Sequence, residues 1–331
     1  MAAPTDRSEL SKRLLPEMTP VSPSNAALTA ALPQLPSTAS VAERVAARFA
    51  VTGNAVITGG AGTLALHTAR ALLEHGLSGL ALLDLDPLGQ SRQQIKQLVK
   101  DFPDVKIVTG NCNVTSSEST QQAMAQASKY FAEEGVGTQI DALLTFAGVV
   151  GCVHASEMEE KEWRRVMDVN LTGAFLAAQA VLPYMAGAPA KNDANSEEGL
   201  NNFDTSQTSV GRGGAITFIA SMSGHIVNYP QPQSAYNVSK AGIVHLARCL
   251  AAEWAHAGVR VNSISPGYMD TILNEGEGLE RARKMWSERC PLARMGDPEE
   301  LAGVCVLLSS RRAGGYITGS DFGVDGGSCV F

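Results

Sequence analysis

The chain has 331 residues, 44% of them apolar and 18% charged, enough for one large α/β domain or two small ones around a sizeable core. Its 26 Lys and Arg against 33 Asp and Glu give a net charge of −7, and the basic residues are scattered, which argues against a nucleic-acid partner. No apolar run approaches the roughly 20 residues that span a bilayer, so no membrane partner is expected either. The six cysteines (Cys112, Cys152, Cys249, Cys290, Cys305, Cys329) lie far apart with no CxxC pair. The six histidines are equally dispersed. Neither a disulfide framework nor a metal site is expected, and a reducing compartment suits the thiols.

Residues 1 to about 40 hold Pro4, Pro16, Pro20, Pro23, Pro33 and Pro36 among Ser, Thr and Ala, a composition that sustains neither helix nor strand for long. Residues 1–48 are read as a mobile extension, with the pattern changing from Val41. Its start lacks the basic-then-apolar order of a secretory signal, and Asp6, Glu9 and Glu17 among Arg7, Lys12 and Arg13 disfavour a mitochondrial leader, so a cytoplasmic protein is expected.

From residue 49 to the end one domain is predicted. Residues 55–60 form a first apolar strand, followed by a helix with a glycine stop at Gly76. Residues 80–86 form a second strand, a helix follows over 91–100, and 105–114 form a third strand. A helix over 119–134 leads to a fourth strand at 140–148, and a long helix covers 163–185. Residues 186–214, rich in Asn, Asp, Ser, Glu and Gly, read as a flexible surface insertion, because structureless segments of that length are unusual inside a compact domain. Beyond it lie a strand over 215–221, a helix ending at Gly258, a strand and turn over 259–267, a helix over 298–310 and a last strand near 321–324. Continuous rather than alternating apolar strands, separated by helices, indicate a parallel sheet covered on both faces. The predicted fold class is α/β, a single doubly wound, Rossmann-type sheet.

Two features carry chemistry. The first strand ends in Thr58-Gly59-Gly60-Ala61-Gly62 directly before a helix, where glycines admit a pyrophosphate close to the backbone and the helix start offers free N–H groups. At the end of the second strand, Asp84 can accept hydrogen bonds from ribose hydroxyls and repels a 2′-phosphate, which favours NAD over NADP. Asp86 is a neighbouring alternative. Tyr236 and Lys240 stand four apart in a helical segment, so both project from one face, with Ser221 at the end of the preceding strand. An ammonium beside a phenol favours the phenolate, and such a tyrosine can move a proton to or from an alcohol or carbonyl oxygen.

The order of motifs from about residue 50 onward resembles the short-chain dehydrogenase/reductase family. The resemblance rests on the glycine turn, Asp84, Asn113-Val114, Ala147-Gly148, Asn170, Ser221, Tyr236 with Lys240, Pro266-Gly267 with Thr271, Thr318-Gly319 and Val324-Asp325-Gly326-Gly327. It implies Tyr236 as acid/base, Lys240 as its pKa-lowering partner and ribose ligand, Ser221 on the reacting oxygen and Asn170 completing a proton relay. Ser223 is the rival for the serine role; Ser221 is preferred because it stands three before Gly224, as the family pattern asks. The resemblance also implies cofactor contacts from Thr58, Gly59, Gly62, Thr63, Leu64, Asp84, Leu85, Asn113, Val114, Ala147, Gly148, Tyr236, Lys240, Pro266, Gly267, Met269 and Thr271. The chain departs from the family where Thr63 and Ala65 replace the second and third loop glycines, where Thr145-Phe146 replaces the usual Asn-Asn, and where Asn113 replaces an acid. Residues 221–255 look most like fungal polyol and ketose reductases such as mannitol dehydrogenase, sorbose reductase, L-xylulose reductase and arabinitol dehydrogenase.

An NAD(H)-dependent oxidoreductase interconverting a secondary alcohol and its ketone is therefore expected, with a polyol/ketose pair as the small-molecule substrate. Two alternatives are a carbonyl reductase acting on a secondary metabolite or β-ketoacyl group, and a cofactor-binding regulatory protein with little turnover. The resemblance implies a homo-tetramer. The segment 271–289, which in the family covers the substrate, is rich in Glu and Arg and offers no readable specificity.

Overall fold

The computed structural model describes residues 15–23, 25–87, 89, 91–185, 213–271, 274 and 276–330. Residues 1–14 of the expected extension and 186–212 of the expected insertion lie outside them.

Strand β1, Asn54–Thr58, is buried along its whole length, as a strand covered on both faces must be. Around it lie β2 (Gly79–Asp84), β3 (Lys106–Asn111), β4 (Ala142–Thr145), β5 (Ala215–Ile219), β6 (Arg260–Pro266) and β7 (Asp321–Val324). They form a seven-stranded sheet in the order β3-β2-β1-β4-β5-β6-β7, and every pairing is parallel. The order reverses between β1 and β4, and there a doubly wound sheet opens a crevice at its carboxyl edge. Thr58 is level with both Leu83 and Thr145, so the loops leaving β1, β2 and β4 start side by side.

The described helices are α1 (Val41–Phe49), α2 (Thr63–Glu74), α3 (Arg92–Asp101), α4 (Ser117–Glu133), α5 (Glu160–Met167), α6 (Gly173–Val181), α7 (Ser234–Trp254), α8 (Glu280–Glu288) and α9 (Pro298–Ser309). Side-chain alternation along each strand divides the core in two. Val56, Leu143 and Phe218 join Met124 and Phe131 of α4, Ala177 and Val181 of α6 and Ile243 of α7. Ala55, Ile57, Leu82 and Leu144 join Leu72 of α2, Ile95 of α3 and Leu301 and Val306 of α9 on the opposite face. Local chemistry sets the helix starts: Asp297 and Glu300 form a capping box at α9, with Pro298 in its first turn.

Three expectations need correction. The single helix over 163–185 is α5, a π-helical turn at Asp168–Thr172, α6 and a 3₁₀ turn at Leu182–Tyr184. Together Glu160–Tyr184 make a stretch long and apolar enough to cross a bilayer by length and composition. Ala174, Ala177 and Val181 join the core formed with the sheet, α4 and α7, and Val166 and Asn170 are buried. The third strand stops at Asn111 instead of 114, because Asn113 folds into a turn, its Oδ1 accepting from Thr115 N and Oγ1 at 3.1 and 2.8 Å. Within the segment read as a mobile extension, Ser40 and Glu43 form a capping box that starts α1.

Ala26–Leu28 forms a 3₁₀ turn whose Leu28 is buried, its backbone resting where a β-carbon on Gly258 would be 3.0 Å from Leu28 O. Arg312 Nη2 donates to Pro33 O at 3.0 Å, and Ser310 Oγ to Arg48 O at 3.2 Å. Leu28→Ala is expected to destabilise the fold by about 2 kcal/mol, the low end for a buried leucine, as read by denaturant unfolding. An unchanged midpoint would mean that this turn adds nothing to the domain.

Candidate active site

The carboxyl edge of β1 turns through Gly59 at φ 67°, where a β-carbon would stand 2.4 Å from Ala147 N. Only glycine fits. Gly60 N donates to Leu83 O and Gly62 N to Gly59 O, both at 3.0 Å, so the turn is tied to β2 and to itself. Gly62 is the N-cap of α2 and caps no amide with a side chain, which leaves the amides at the start of this helix, Thr63 and Leu64 first, available to an anion. Thr63 and Ala65, in the places of two family glycines, are simply the first turn of α2, with Ala65 buried against the sheet.

Asp84 Oδ2 accepts from Ala61 N at 3.1 Å and Oδ1 from Asp86 N at 3.4 Å. The carboxylate therefore holds the glycine turn from the end of β2. Asp86 is engaged elsewhere, accepting from Gly89 N at 3.1 Å, while Leu85 is exposed and its carbonyl accepts from Asn111 Nδ2 at 2.7 Å. Val114 is buried, packed where a β-carbon on Gly173 would be 2.8 Å from its Cγ2. Ala147 follows β4 against Gly59, and Gly148 is exposed. Thr58 Oγ1 and Thr145 Oγ1, level on neighbouring strands, are buried without a partner. An uncapped helix start, a carboxylate at the β2 edge and a glycine turn without room for a β-carbon fit a dinucleotide at the switch point.

On the other side of β4, Ser221 leaves β5 and Tyr236 and Lys240 sit in the first two turns of α7. Ser221 is close enough to the Tyr236 phenol to oppose the rise that burial imposes on it. It also donates to Ser223 Oγ at 3.0 Å and accepts from Ser223 N at 3.2 Å, so Ser223 props Ser221. Lys240 is only 5% exposed; its Nζ donates to Ile219 O at 2.8 Å and stands 5.6 Å from the Tyr236 ring centre. Burial depresses the Lys240 ammonium to about 8. Burial also raises the Tyr236 phenol, with Ser221 opposing. The expected lowering of that phenol is thus not what the protein surroundings provide: desolvation of both groups outweighs their proximity.

Asn170 lies in the π turn, buried, where such turns re-aim a side chain. Its Oδ1 accepts from Val149 N at 2.8 Å; its Nδ2 donates to Val149 O and to Ser239 Oγ, each at 3.0 Å. Ser239 donates to Tyr236 O at 2.7 Å. Asn170 thereby locks the loop after β4, through Ser239, to the backbone of α7. A β-carbon on Gly148 would stand 3.4 Å from Asn170 Oδ1 and 3.7 Å from Lys240 Nζ. Pro266 ends β6, Gly267 N donates to Val324 O at 2.9 Å, and Met269 and Thr271 are buried beyond it. Met269 turns its sulfur toward Gly296. Three groups escaped sequence reasoning: Ser239, the stacked pair Tyr268 and Trp286, and His225, whose Nε2 meets Asp321 Oδ2 at 2.9 Å and Ser265 Oγ at 3.1 Å. No local motif marks any of them. Among the described residues no His, Cys, Asp or Glu cluster could hold a metal.

A dinucleotide cradle beside a phenol and an ammonium is the equipment of hydride-transfer enzymes, and comparison with known proteins narrows that class. Residues 53–194 match the family model described as short chain dehydrogenase, and 203–328 the one described as Enoyl-(Acyl carrier protein) reductase. The D-arabinitol 2-dehydrogenase [ribulose-forming] of Candida tropicalis is 32% identical over 284 residues, covering 82% of this chain and 90% of that protein. The NADH-dependent L-xylulose reductase of Ambrosiozyma monospora is 32% identical over 285 residues, covering 82% and 93%. Among solved structures, the NADPH-dependent 3-quinuclidinone reductase of Rhodotorula rubra is 31% identical with a TM-score of 0.70, covering 91% of this chain and 98% of its own. The chain belongs to the short-chain dehydrogenase/reductase family of oxidoreductases.

Proposed function

We propose that this protein is an NAD(H)-dependent oxidoreductase interconverting a polyol and its ketose, with Tyr236 as acid/base. The observation that carries the reading is the Tyr236 ring 5.6 Å from the Nζ of a buried Lys240, with Ser221 next to the phenol. Bound nicotinamide would supply or accept the hydride at the carbinol carbon. The protein's task is the proton. In ketone reduction Tyr236 donates its phenolic proton to the oxygen that gains negative charge, and Ser221 hydrogen-bonds the same oxygen. A phenol raised by burial is fully protonated at neutral pH, the form needed in this direction. In alcohol oxidation the phenolate takes the hydroxyl proton, a form that burial opposes and that positive charge on Lys240 and on a bound oxidised nicotinamide would favour. Asn170 and Ser239 hold the helix that carries both groups. The family resemblance supports assembly as a homo-tetramer.

The NAD preference rests on Asp84, whose carboxylate at the end of β2 opposes a 2′-phosphate; relatives of this chain use NADH in one case and NADPH in another. Asp84→Ser is expected to weaken NADH and strengthen NADPH binding, shifting their ratio by about tenfold or more, the worth of one charge-assisted contact. Titration of nucleotide fluorescence reads it. An unchanged ratio would remove Asp84 as the selector. Absorbance of reduced nicotinamide with a panel of ketoses, simple ketones and β-ketoacyl thioesters tests the substrate class. NADH binding without turnover of any of them would favour the regulatory alternative.

A further inference from the structure

A directed chain of hydrogen bonds runs from Trp286 to Gln233, the N-cap residue of the helix that carries Tyr236. Trp286 is buried and stacks on Tyr268, ring centres 4.2 Å apart and planes 9° apart. An indole N–H can only donate, and Trp286 Nε1 donates to Gln231 Oε1 at 3.1 Å. This fixes the direction of the Gln231 amide. Its Nε2 must face the other way, donating to the Tyr268 phenol oxygen at 2.8 Å and reaching Gln233 Oε1 at 3.4 Å. Gln233 passes the polarity on, its Nε2 donating to Cys152 Sγ at 3.3 Å. Asn228 Nδ2 is a second donor to the Tyr268 oxygen, also at 2.8 Å.

A phenol oxygen offers two acceptor positions and one proton. Both acceptor positions on Tyr268 are filled by amides, and no described protein group accepts its proton. Tyr268 is half-buried in the loop after β6, and Gln231 links its oxygen to Gln233, the N-cap residue of α7 three positions before Tyr236. Stacking on Trp286 and two amide bonds hold the ring rigid, so its spare donor is pre-aimed.

We propose that Tyr268 is a specificity-determining residue that donates a hydrogen bond to a second oxygen of the substrate, one other than the oxygen that reacts. The inference rests on the cleft assignment made above and deepens it: Tyr236 and Ser221 take the reacting oxygen, so the Tyr268 donor selects polyhydroxylated substrates over monofunctional ones. A donor left without an acceptor when the smaller substrate enters penalises that substrate strongly.

The test compares wild type and Tyr268→Phe, which keeps the stacked ring and removes only the hydroxyl. The substrates are a ketopentose, a ketohexose and cyclohexanone, which has one oxygen. The expected result is a loss in kcat/KM of about ten- to a hundredfold for the ketoses, with cyclohexanone changed by less than about threefold. Equal losses on both classes, or no loss on ketoses, overturns the proposal. A second measurement does not need turnover: quenching of tryptophan fluorescence in the full chain with NADH, titrated with a pentitol and with a deoxy analogue. Saturable quenching by the pentitol that is lost in Tyr268→Phe supports the assignment even if no ketose is reduced, an outcome that would fault the proposed reaction alone. Identical titrations of wild type and variant overturn it.

Discussion

Tyr236→Phe is expected to lower kcat by about a thousandfold while NADH affinity and the unfolding midpoint stay close to wild type. The substitution removes one O–H from a ring whose position is set by α7, by Ser239 on its own backbone carbonyl and, through Ser239, by Asn170. None of those supports involves the phenol oxygen. Ser221, next to the phenol oxygen, keeps its hydrogen bond to Ser223 at 3.0 Å, so little is left unsatisfied. Steady-state kinetics beside nucleotide titration checks it. Retention of more than about a tenth of wild-type kcat would move the proton-transfer role to another group, and the regulatory reading would gain if wild type itself turned nothing over.

Lys240→Met should cost at least about a hundredfold in activity and yet stabilise the protein at neutral pH. The folded-state pKa of Lys240, about 8, lies below the ordinary lysine value of 10.5 because the ammonium is buried. Below pH 8 folded and unfolded chains both carry the proton, and the folded one bears the full cost of burying it, about 3 kcal/mol for this separation. Between pH 8 and 10.5 the unfolded chain holds a proton that the folded chain has shed. Wild-type stability therefore gains from this group as pH rises through that window. Methionine has no such dependence. The variant should be the more stable at pH 7, by less than 3 kcal/mol because the bond to Ile219 O is lost, and its advantage should shrink from pH 8 to 10.5. Denaturant midpoints of both proteins across that range test the sign. An advantage that is flat with pH would mean that Lys240 is not strained by burial.

Both predictions concern residues readable in the sequence, and the reason is local. A tyrosine and a lysine four apart in a helix must share a face, and a glycine run between an apolar strand and a helix must turn at the sheet's carboxyl edge. The register that puts Thr58 beside Thr145 follows from the same apolar runs. Asn170 was legible as a residue but not as a device. Periodicity is the same for a straight helix and for one carrying a π turn, because the extra residue changes the backbone ladder and not the apolar count. Tyr268, Gln231 and Trp286 meet from three separate segments, and the sequence between 271 and 289 says nothing of the helix α8 that delivers Trp286. The departures at Thr63 and Ala65 break the family's glycine pattern in one dimension; in three they are an ordinary helix start. The helix at Val41–Phe49 had its own signal, a Ser-x-x-Glu capping box at Ser40 and Glu43, masked by the prolines upstream.

The π turn at Asp168–Thr172 makes the enzyme's geometry depend on a count of residues. Its widened ring accommodates one residue beyond the α-helical repeat, and each α-helical residue advances the chain by about 100°. Deleting any one residue between 168 and 172 would leave composition and helix propensity almost unaltered, yet swing everything on one side of the cut by that angle. Asn170 could then no longer span from Val149 to Ser239 while Val166 and Ala174 both keep their places in the core. Side-chain exchanges along this helix leave that count intact; a change of length at this point does not.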